Sequence, residues 1–508
     1  MDYQLLFSQF TANAAHTRWP RQRQLHECLR HAIRQGTLGS GARLPASRTL
    51  AQELGVSRNT VLYAYNQLAT EGFVRPDQRG TVVAPALGAP TQTTRRATAS
   101  RNALSTPEPN PHLRAHLSRR ALSVPIYEQG SVDAATAFTP GVPALQDFPL
   151  TLWRRLLERA WRTMRKAQLN YADPQGEAPL REAIANHLRV ARGALLDSSQ
   201  VFITDGTQHS LDIVAHAFAD AGDKMWIESP GYLGALAAFK GAQLKPLGMV
   251  VDAQGIAPSA ADWQRHRPRL VYVTPSHQFP TGTVLSLERR LALIAQARAA
   301  GSLLIEDDYD SEFRHDGPPL SCMQGLAPDA PVIYLGTFSK TLFPALRIGF
   351  MVVPAGLVAP LRQLLSRSAP RGRVAEQWAL ADFMHSGQFS LHLRRMRRLY
   401  RQRRDALVAE LERQLGGADG QAAVADVYGG SAGMHLALRL RDPQANDVAM
   451  SHWLRQHGLV AHALSEHTIG QRMQPWRGFV LGYAQVPAEQ MAEKVALLAK
   501  AVRLGTPP

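Results

Sequence analysis

The sequence contains very little cysteine, very little lysine and no long apolar run. Its two cysteines, Cys28 and Cys322, exclude a disulfide framework and a cysteine-based structural zinc site. No segment has the ~20 uninterrupted apolar residues that a membrane helix needs, and the most apolar stretch, 348–361, is broken by Pro354 and Pro360. The first residues lack the basic and apolar pattern of a secretory signal. These absences predict a soluble, cytoplasmic protein.

Length and composition indicate a folded chain with several domains. The chain has 508 residues, of which 45% are hydrophobic. This apolar fraction is ordinary for folded proteins and excludes disorder as a description of the whole chain. At roughly 100–200 residues per domain, the length suggests about three domains.

Positive charge is in excess, and arginine supplies nearly all of it. The formal net charge is +16, and only seven of the 57 basic residues are lysines. Such an excess indicates an anionic partner such as nucleic acid, although a coding bias toward arginine would also explain the total. Because lysine is rare, a lysine with unusual neighbours is easy to notice.

The first 84 residues show the spacing of three helices. One apolar face, which ends before Gly36, consists of Leu25, Cys28, Leu29, Ala32 and Ile33. We expect Ser47 to cap a second helix and Ser57 a third, with Gly55 in the tight turn between them. The third helix would bury Val61, Tyr65 and Leu68, and its opposite face would present Arg58, Asn59, Tyr63 and Asn66. This pattern is typical of a helix-turn-helix.

Residues 73–83 predict a β-hairpin with a basic tip, which would form a wing beside these helices. Helix starts, turns and wing tips are places where side chains and amides reach phosphates and base edges. The residues at such positions, and therefore the candidate DNA contacts, are Arg48, Ser57, Arg58, Thr60, Tyr63, Arg79 and Gly80. The segment 1–84 holds ten arginines against five acidic residues, which fits a phosphate-contacting module. The alternative is an ordinary three-helix domain with a solvated face.

The segment 44–73 resembles the winged helix-turn-helix of the GntR regulators. It matches the pattern LPxSRxLAxxLGxSRxTVxxAYxxLxxEGF without a gap. The resemblance implies a domain at 1–84 that binds double-stranded promoter DNA. Residues 85–132 are rich in Ala, Thr, Ser, Pro and Arg, and they predict a flexible linker.

From about residue 134, apolar runs alternate with amphipathic helical segments. This alternation predicts a mostly parallel sheet that is covered on both faces. The predicted strands are 200–203, 224–227, 269–273, 302–305, 332–335 and 348–353, and the predicted helices include 208–219 and 287–299. Polar motifs follow several of the strands. Because open α/β sheets bind ligands at the carboxyl ends of their strands, we expect these motifs to form one site.

Lys340 is the lysine with unusual surroundings. It follows an apolar strand, lies beside the hydroxyls of Thr337 and Ser339, and precedes Arg347 by seven residues. A lysine in a cleft can lose its proton and form a Schiff base with an aldehyde. Hydroxyls, a guanidinium and the helix start after Gly206 would form the anion cradle that a phosphorylated cofactor needs. Together these features predict a site for pyridoxal 5′-phosphate (PLP), which also requires a carboxylate at its ring nitrogen.

The second part of the chain resembles the fold-type I aminotransferases. The resemblance rests on the motifs TPSHQFPTG at 274–282, EDDYDSEF at 306–313, GTFSK at 336–340 and HLRRMRRLY at 392–400. Combined with the winged helix, the chain resembles the MocR subfamily of the GntR regulators over nearly its whole length except the linker. The resemblance implies an α/β aminotransferase-like domain at 133–508, divided into a large domain at about 175–365 and a small domain at about 366–508.

The same resemblance assigns roles to individual residues. Lys340 would form the internal aldimine, Asp307 would pair with the ring nitrogen, Tyr232 would stack on the ring, and Tyr309 would reach the cofactor's O3′. The phosphate would be held by Gly206, Thr207, Thr337 and Arg347, and the remaining candidates for cofactor binding are Gln208, Ser339, His277 and Gln278. His277 and Gln278 are alternatives, because 274–282 lacks the asparagine of the common aminotransferase pattern.

An arginine near the C-terminus is expected to bind the carboxylate of an effector. Arg477 is the candidate and Arg472 its rival, while a plain surface role for Arg477 is the alternative. Some members of the subfamily carry an arginine soon after the stacking tyrosine, but residues 234–236 are Gly, Ala and Leu here. We interpret the arginine-rich run 394–404 as a charged face of a long helix, with accessory DNA contact as the alternative. No metal site is predicted.

Two functions fit these expectations. The first is a homodimeric transcription regulator, described in the family as head-to-tail, in which PLP or an amine or amino-acid effector alters how two winged helices are held. The second is an active aminotransferase with an accessory DNA-binding domain. A third, weaker alternative is a DNA-binding protein whose second part only dimerises. The intact recognition helix of the helix-turn-helix and the long linker favour the transcription regulator.

Overall fold

The computed structural model describes residues 1–12, 16–17, 19–77, 80–84, 118, 120, 137–317, 319–327, 329–368, 372–417, 422–470 and 476–505. The chain divides into two compact units, Met1–Glu108 and Pro109–Pro508. The predicted linker, 85–132, lies outside the described residues except for Ser118 and Arg120.

The first unit is a small helical domain with a hairpin. Its elements are α1 Tyr3–Thr11, α2 Arg21–Arg34, α3 Ser47–Leu54, α4 Arg58–Thr70, β1 Val74–Asp77 and β2 Gly80–Val83. The apolar faces of α2, α3 and α4 share one core, in which Leu25, Leu50 and Val61 are fully buried. β1 and β2 pair antiparallel. The predicted helix-turn-helix and wing are therefore confirmed as structural elements.

The two predicted serine caps have different outcomes. Ser57 caps α4, and its Oγ accepts a hydrogen bond from the backbone N–H of Thr60 at 3.2 Å. The prediction for α3 was wrong, because Ala46 occupies the cap position and Ser47 is the first helical residue. Ala46 has no side-chain oxygen to offer, so the start of α3 lacks a side-chain cap.

The second unit contains a large mixed sheet. Its strands are β3 Val201–Thr204, β4 Lys224–Ser229, β5 Lys245–Asp252, β6 Gly255–Ile256, β7 Leu270–Val273, β8 Leu303–Asp308, β9 Val332–Thr337 and β10 Gly349–Val352. Their order is β3-β10-β9-β8-β7-β4-β5-β6. The strands from β9 to β5 in this order run parallel, β10 is antiparallel to both of its neighbours, and β6 is antiparallel to β5. The mostly parallel sheet is confirmed.

Sequence analysis did not predict β5. This strand contains Pro246 and Gly248, and both residue types are depleted in strands. Its place beside β4 is therefore a result of tertiary packing rather than of local propensity.

Helices cover both faces of the sheet. The helices of the second unit are α5 Leu150–Thr163, α6 Ala178–Arg192, α7 Thr207–Phe218, α8 Leu233–Gly241, α9 Ala260–His266, α10 Leu287–Ala300, α11 Ala355–Ser368, α12 Val374–His385, α13 Gln388–Leu415, α14 Asp447–Gln456 and α15 Met491–Leu504. Successive residues of a strand point to opposite faces. Thus Leu270 and Tyr272 of β7 join a core with α7, α8 and α11, while Val271 and Val273 join another with α9 and α10.

A second, antiparallel sheet lies toward the C-terminus. Its order is β11-β12-β14-β13, formed by β11 Ala425–Tyr428, β12 His435–Leu440, β13 His462–Ala463 and β14 Gly478–Gly482. Its residues share a core with α13, α14 and α15. Every described helix of the chain is too short or too polar to cross a membrane.

Candidate functional site

A cavity of about 260 Å³ lies at the carboxyl ends of β4, β7, β8 and β9. Because these strands are parallel, their ends meet at one edge of the sheet. The predicted residues that line the cavity together are Thr207, Tyr232, Asp307, Tyr309 and Lys340. Lining residues that sequence analysis did not single out include Tyr272, Thr274, Phe279, His435 and His462.

Lys340 reaches the cavity from the turn after β9. Its Nζ donates a hydrogen bond to the backbone oxygen of Gly141 at 2.9 Å. Burial lowers the pKa of Lys340, against the opposing effect of the Asp310 and Asp307 carboxylates. Gly141 has a φ of 72°, and a Cβ there would lie 2.5 Å from Nζ, so a larger residue would displace the amine. The amine is held in place and is easier to deprotonate than an exposed lysine.

Asp307 lies on β8 and is buried in the cavity wall. Its Oδ2 accepts a hydrogen bond from the Tyr272 hydroxyl at 2.7 Å, while its Oδ1 has no hydrogen-bond partner among the described residues. Burial raises the pKa of Asp307 to about 7. A buried acceptor without a partner is costly. The carboxyl group is therefore suited to a ligand that brings a donor, such as a protonated ring nitrogen.

Aromatic side chains form another wall. Tyr232 precedes α8, and its ring lies 5.7 Å from that of Phe279, edge to face. The Tyr309 hydroxyl donates a hydrogen bond to the backbone oxygen of His277 at 2.8 Å and lies 3.2 Å from His277 Nδ1. The hydroxyl is thus fixed at the cavity edge by the 274–282 segment.

The start of α7 and Arg347 form an anion cradle. Gly206 precedes α7 with a φ of 90°, and a Cβ there would lie 3.6 Å from the Arg347 guanidinium. Thr337 Oγ1 accepts a hydrogen bond from the Ser339 backbone N–H at 3.1 Å. Free helix N–H groups beside a guanidinium match the oxygens of a phosphate. Gln208 instead donates to the backbone oxygen of Gly234 at 3.0 Å, which links α7 to α8.

Neither His277 nor Gln278 is among the residues that line the cavity. Gln278 Nε2 donates to the Pro230 backbone oxygen at 2.8 Å. His277 Nδ1 lies 3.0 Å from Asp310 Oδ2. Both side chains therefore hydrogen-bond to neighbouring segments rather than line the cavity. The His277 ring contacts the Tyr309 hydroxyl, which does lie at the cavity.

Arg477 also lies away from the cavity lining. Its guanidinium pairs with Asp447 Oδ1 at 3.4 Å, and its rival Arg472 lies outside the described residues. The second sheet contributes His435 and His462 to the cavity instead. Burial lowers the pKa of both imidazoles, that of His435 well below its usual range. This wall is therefore neutral near pH 7.

The candidate DNA-contacting residues lie on α3, α4 and the hairpin. Arg48, Arg58 and Tyr63 are exposed, and Arg58 Nε donates to Ser47 Oγ at 3.4 Å. Thr60 is buried, and its Oγ1 is 2.9 Å from Ser57 Oγ, so it supports the cap of α4. Exposed Gly80 begins β2, whereas Arg79 lies outside the described residues.

Two protein families match the two units. Residues 21–83 match the family described as bacterial regulatory proteins, gntR family. Residues 144–493 match the family described as aminotransferase class I and II.

Individual proteins match over nearly the whole chain. A probable rhizopine catabolism regulatory protein, MocR, from Rhizobium meliloti is 36% identical over 95% of this chain and 94% of the relative. The pyridoxine biosynthesis transcriptional regulator PdxR from Corynebacterium glutamicum is 32% identical over 95% of this chain and 96% of the relative.

Solved aminotransferase structures match the second unit's fold. The α-aminoadipate aminotransferase LysN from Thermus thermophilus, complexed with N-(5′-phosphopyridoxyl)-L-leucine, aligns with a TM-score of 0.67 and 26% identity. The alignment covers 77% of this chain and 98% of that chain.

Proposed function

Because the chain belongs to the MocR subfamily of the GntR transcriptional regulators, we propose that it controls promoters in response to PLP or a small amine. Its GntR domain binds DNA. The observation that carries the sensing proposal is that Lys340 and Asp307 line one cavity and that Asp307 Oδ1 has no hydrogen-bond partner among the described residues. An amine that loses its proton more readily than an exposed lysine, and a buried acceptor without a partner, are what a phosphorylated pyridine aldehyde would engage.

The residues present fit this cofactor. When bound, PLP supplies an aldehyde and an electron-withdrawing ring. Asp307 would hold the proton of the ring nitrogen on Oδ1, and Tyr232 would cover the ring. The start of α7 at Gly206 and Thr207, with Thr337 and Arg347, would hold the phosphate, as the geometry of this cradle supports.

Lys340 would act as the sensing group. Since burial lowers the pKa of Lys340, its Nζ becomes a free nucleophile more readily than the amine of an exposed lysine does. When PLP is bound, an incoming amine would compete with Nζ for the aldehyde that the cofactor supplies. Such competition would free the Lys340 side chain, and that change inside the cavity is the signal that we propose is transmitted.

The lining of the cavity supports a particular class of effector. Among the described lining residues, Lys340 is the one basic side chain other than the two imidazoles, which are neutral near pH 7. Arg477 is paired with Asp447. Enclosing the carboxylate of an amino-acid effector in this cavity, without a cation beside it, would carry a large desolvation penalty. We therefore favour a primary amine with an uncharged polar tail over an amino acid.

The regulator would act as a homodimer with two DNA readers. A two-fold dimer reads two half-sites, and an effector need favour one arrangement by only ~1–3 kcal/mol to switch it. We propose a head-to-tail dimer, with the reader at 1–84, the linker at 85–132 and the sensing domain at 133–508, divided at about 365. The matched ranges 21–83 and 144–493 lie inside these limits.

An active aminotransferase is the alternative, because Lys340, Asp307 and Tyr309 would also serve transamination. The winged helix-turn-helix favours the regulator, since a metabolic enzyme does not need it. Steady-state assays with amino acids and 2-oxo acids distinguish the two. We expect no sustained turnover, and multiple turnovers at a useful rate would support the enzyme instead.

The Lys340→Ala variant tests the sensing proposal. Loaded with PLP, it should lack the visible absorbance of the lysine-bound cofactor and should not respond to amines, while still binding duplexes from the region upstream of its own gene. Lys494→Ala is the matched control, because Lys494 lies on α15 and its amine pairs with the neighbouring Glu493. Unchanged absorbance in Lys340→Ala would refute the assignment.

The effector class has its own test. Ethanolamine and glycine are both primary amines, but only glycine carries a carboxylate. We expect ethanolamine to change the absorbance of the loaded protein at lower concentration than glycine does. The opposite order would show that a cation reaches the cavity and that the effector is an amino acid.

A further inference from the structure

A second cleft in the aminotransferase-like unit is lined almost wholly by arginine. It encloses about 560 Å³, and its lining residues are Arg314, Leu391, Arg394, Arg397, Arg398 and Arg401. We call it the arginine cleft. It is distinct from the cavity at Lys340, with which it shares no lining residue.

Four of its arginines come from one face of α13. Positions 394, 397, 398 and 401 are spaced i, i+3, i+4 and i+7, which brings side chains to the same side of a helix. At about 1.5 Å per residue, the row extends about 10 Å along the helix axis. Sequence analysis left open whether this run is a solvated face or a DNA contact.

Among the described residues, no carboxylate forms a close ion pair with an arginine of the cleft. Arg395 and Arg404, on the same helix but outside the cleft, pair with Asp147 at 2.9 Å and Asp316 at 2.8 Å. By contrast, within the described part of the chain the five cleft arginines form no ion pair with a carboxylate. Like charges so close together raise the local potential and attract an anion.

Some of the cleft arginines are held in position by neutral groups. Arg397 Nε donates to the backbone oxygen of Glu312 at 2.5 Å, and Arg401 donates to the backbone oxygen of His315. Arg314 Nε is buried and has no hydrogen-bond partner in the described structure. Backbone oxygens orient a guanidinium without cancelling its charge, so the cleft is ordered and electropositive.

We propose that the arginine cleft binds the phosphate backbone of duplex DNA, so that the aminotransferase-like unit has a DNA contact of its own. Duplex DNA presents closely spaced phosphates along each strand, so a row of arginines about 10 Å long can contact more than one phosphate. Guanidinium groups bind phosphate oxygens through paired donors. The length of the row fits a polyanion better than a single phosphate, and the chain already carries a DNA-reading domain.

The test is the salt dependence of binding to DNA without an operator. The full-length protein and Arg394→Gln/Arg398→Gln are titrated onto a labelled 40-base-pair duplex of scrambled sequence at several salt concentrations. Each phosphate contact contributes about 0.9 to the magnitude of the slope of log K against log salt. The slope of the double variant should therefore be smaller in magnitude than that of the parent by about 1.8. Pyrophosphate is titrated in parallel as a small-anion probe. Both side chains are exposed, which favours retained folding.

The matched control is Arg154→Gln/Arg441→Gln, which removes the same charge elsewhere. These arginines pair with Glu158 at 3.6 Å and Asp426 at 2.7 Å, so the slope should stay at the parent value. Far-ultraviolet circular dichroism checks, independently of PLP, that each variant is folded. Should the double variant misfold, Arg398→Gln alone should lower the slope by about 0.9.

A slope in Arg394→Gln/Arg398→Gln equal to that of the parent would overturn the proposal. So would loss of pyrophosphate binding with an unchanged DNA slope, since it would identify a small-anion site. If the slope fell equally in this variant and in the Arg154→Gln/Arg441→Gln control, the cause would be the total charge, and the proposed DNA contact of the cleft would likewise be refuted. None of these outcomes bears on PLP binding at Lys340.

Discussion

At the scale of single residues, Asp307 is buried and Lys340 is half-buried, and both line one cavity that disfavours charge on them. Burial is the largest influence on each, raising the pKa of Asp307 to about 7 and lowering that of Lys340. The fold therefore disfavours the charged form of both the carboxyl group and the amine, compared with the same groups in water. A ligand that offers a hydrogen-bond donor to Asp307 and an electrophile to Lys340 would reduce the free-energy cost of burying these two groups.

The raised pKa of Asp307 gives a prediction for the cofactor-free protein. Its ordinary pKa is 3.8 and its folded value about 7, so the fold favours the protonated carboxyl. That contribution is complete below about pH 4 and is lost as pH rises to 7. Compared with Asp307→Asn, the parent should therefore lose stability across this window. At about 1.4 kcal/mol per pKa unit, the loss is at most about 4 kcal/mol.

Urea unfolding of the two proteins between pH 4 and 8 measures this difference. Asp220→Asn is the control, because Asp220 is exposed, and its difference from the parent should not follow the same curve. If the difference in free energy of unfolding between the parent and Asp307→Asn did not change with pH, the expected effect of burial on Asp307 would be contradicted.

At the scale of elements, parallel pairing explains why distant motifs form one cavity. The ends of β4, β7, β8 and β9 point the same way, so side chains more than a hundred residues apart in sequence meet there. The antiparallel second sheet adds residues that follow no such rule, and it contributes His435 and His462.

The start of the DNA-reading helix α4 gives a prediction at this scale. Ser57→Ala removes the side-chain acceptor for the Thr60 N–H and should destabilise α4 by about 1 kcal/mol. Amide exchange of the peptide 58–70 in the full-length protein should become about fivefold faster, and DNA binding should weaken. Hydrogen-exchange mass spectrometry measures the change.

Ser47→Ala is the matched control for that experiment. Ser47 is already inside α3 and accepts no cap bond. Its hydrogen bond with α4 is the long, exposed one of 3.4 Å from Arg58 Nε, so exchange of α3 and α4 should change little. Equal acceleration by both variants would mean that the cap of α4 is not the cause.

At the scale of the whole molecule, the chain consists of two compact units with separate cores. A ligand that binds one unit stabilises the transition of that unit by mass action, about 2.7 kcal/mol at a free concentration 100 times Kd. Separate cores also mean that damage in one unit need not unfold the other.

Differential scanning calorimetry of the full-length protein should therefore show two transitions. PLP should raise the midpoint of one, and Ser57→Ala should lower the midpoint of the other. Lys340→Ala should reduce the effect of PLP and leave the second transition in place. A single transition that moves with both changes would show that the units unfold as one.

The sequence by itself determined the family, the two-part architecture and the mostly parallel sheet. It also identified five of the residues that line the cavity, namely Thr207, Tyr232, Asp307, Tyr309 and Lys340. It could do so because helix spacing, strand runs and the motifs at strand ends are local, and parallel topology then brings those ends together. Only the tertiary structure decided that Arg477 turns to Asp447, that His435 and His462 face the cavity, and that His277 stands behind Tyr309. Those outcomes depend on the direction of side chains between segments far apart in the chain, which no local pattern encodes.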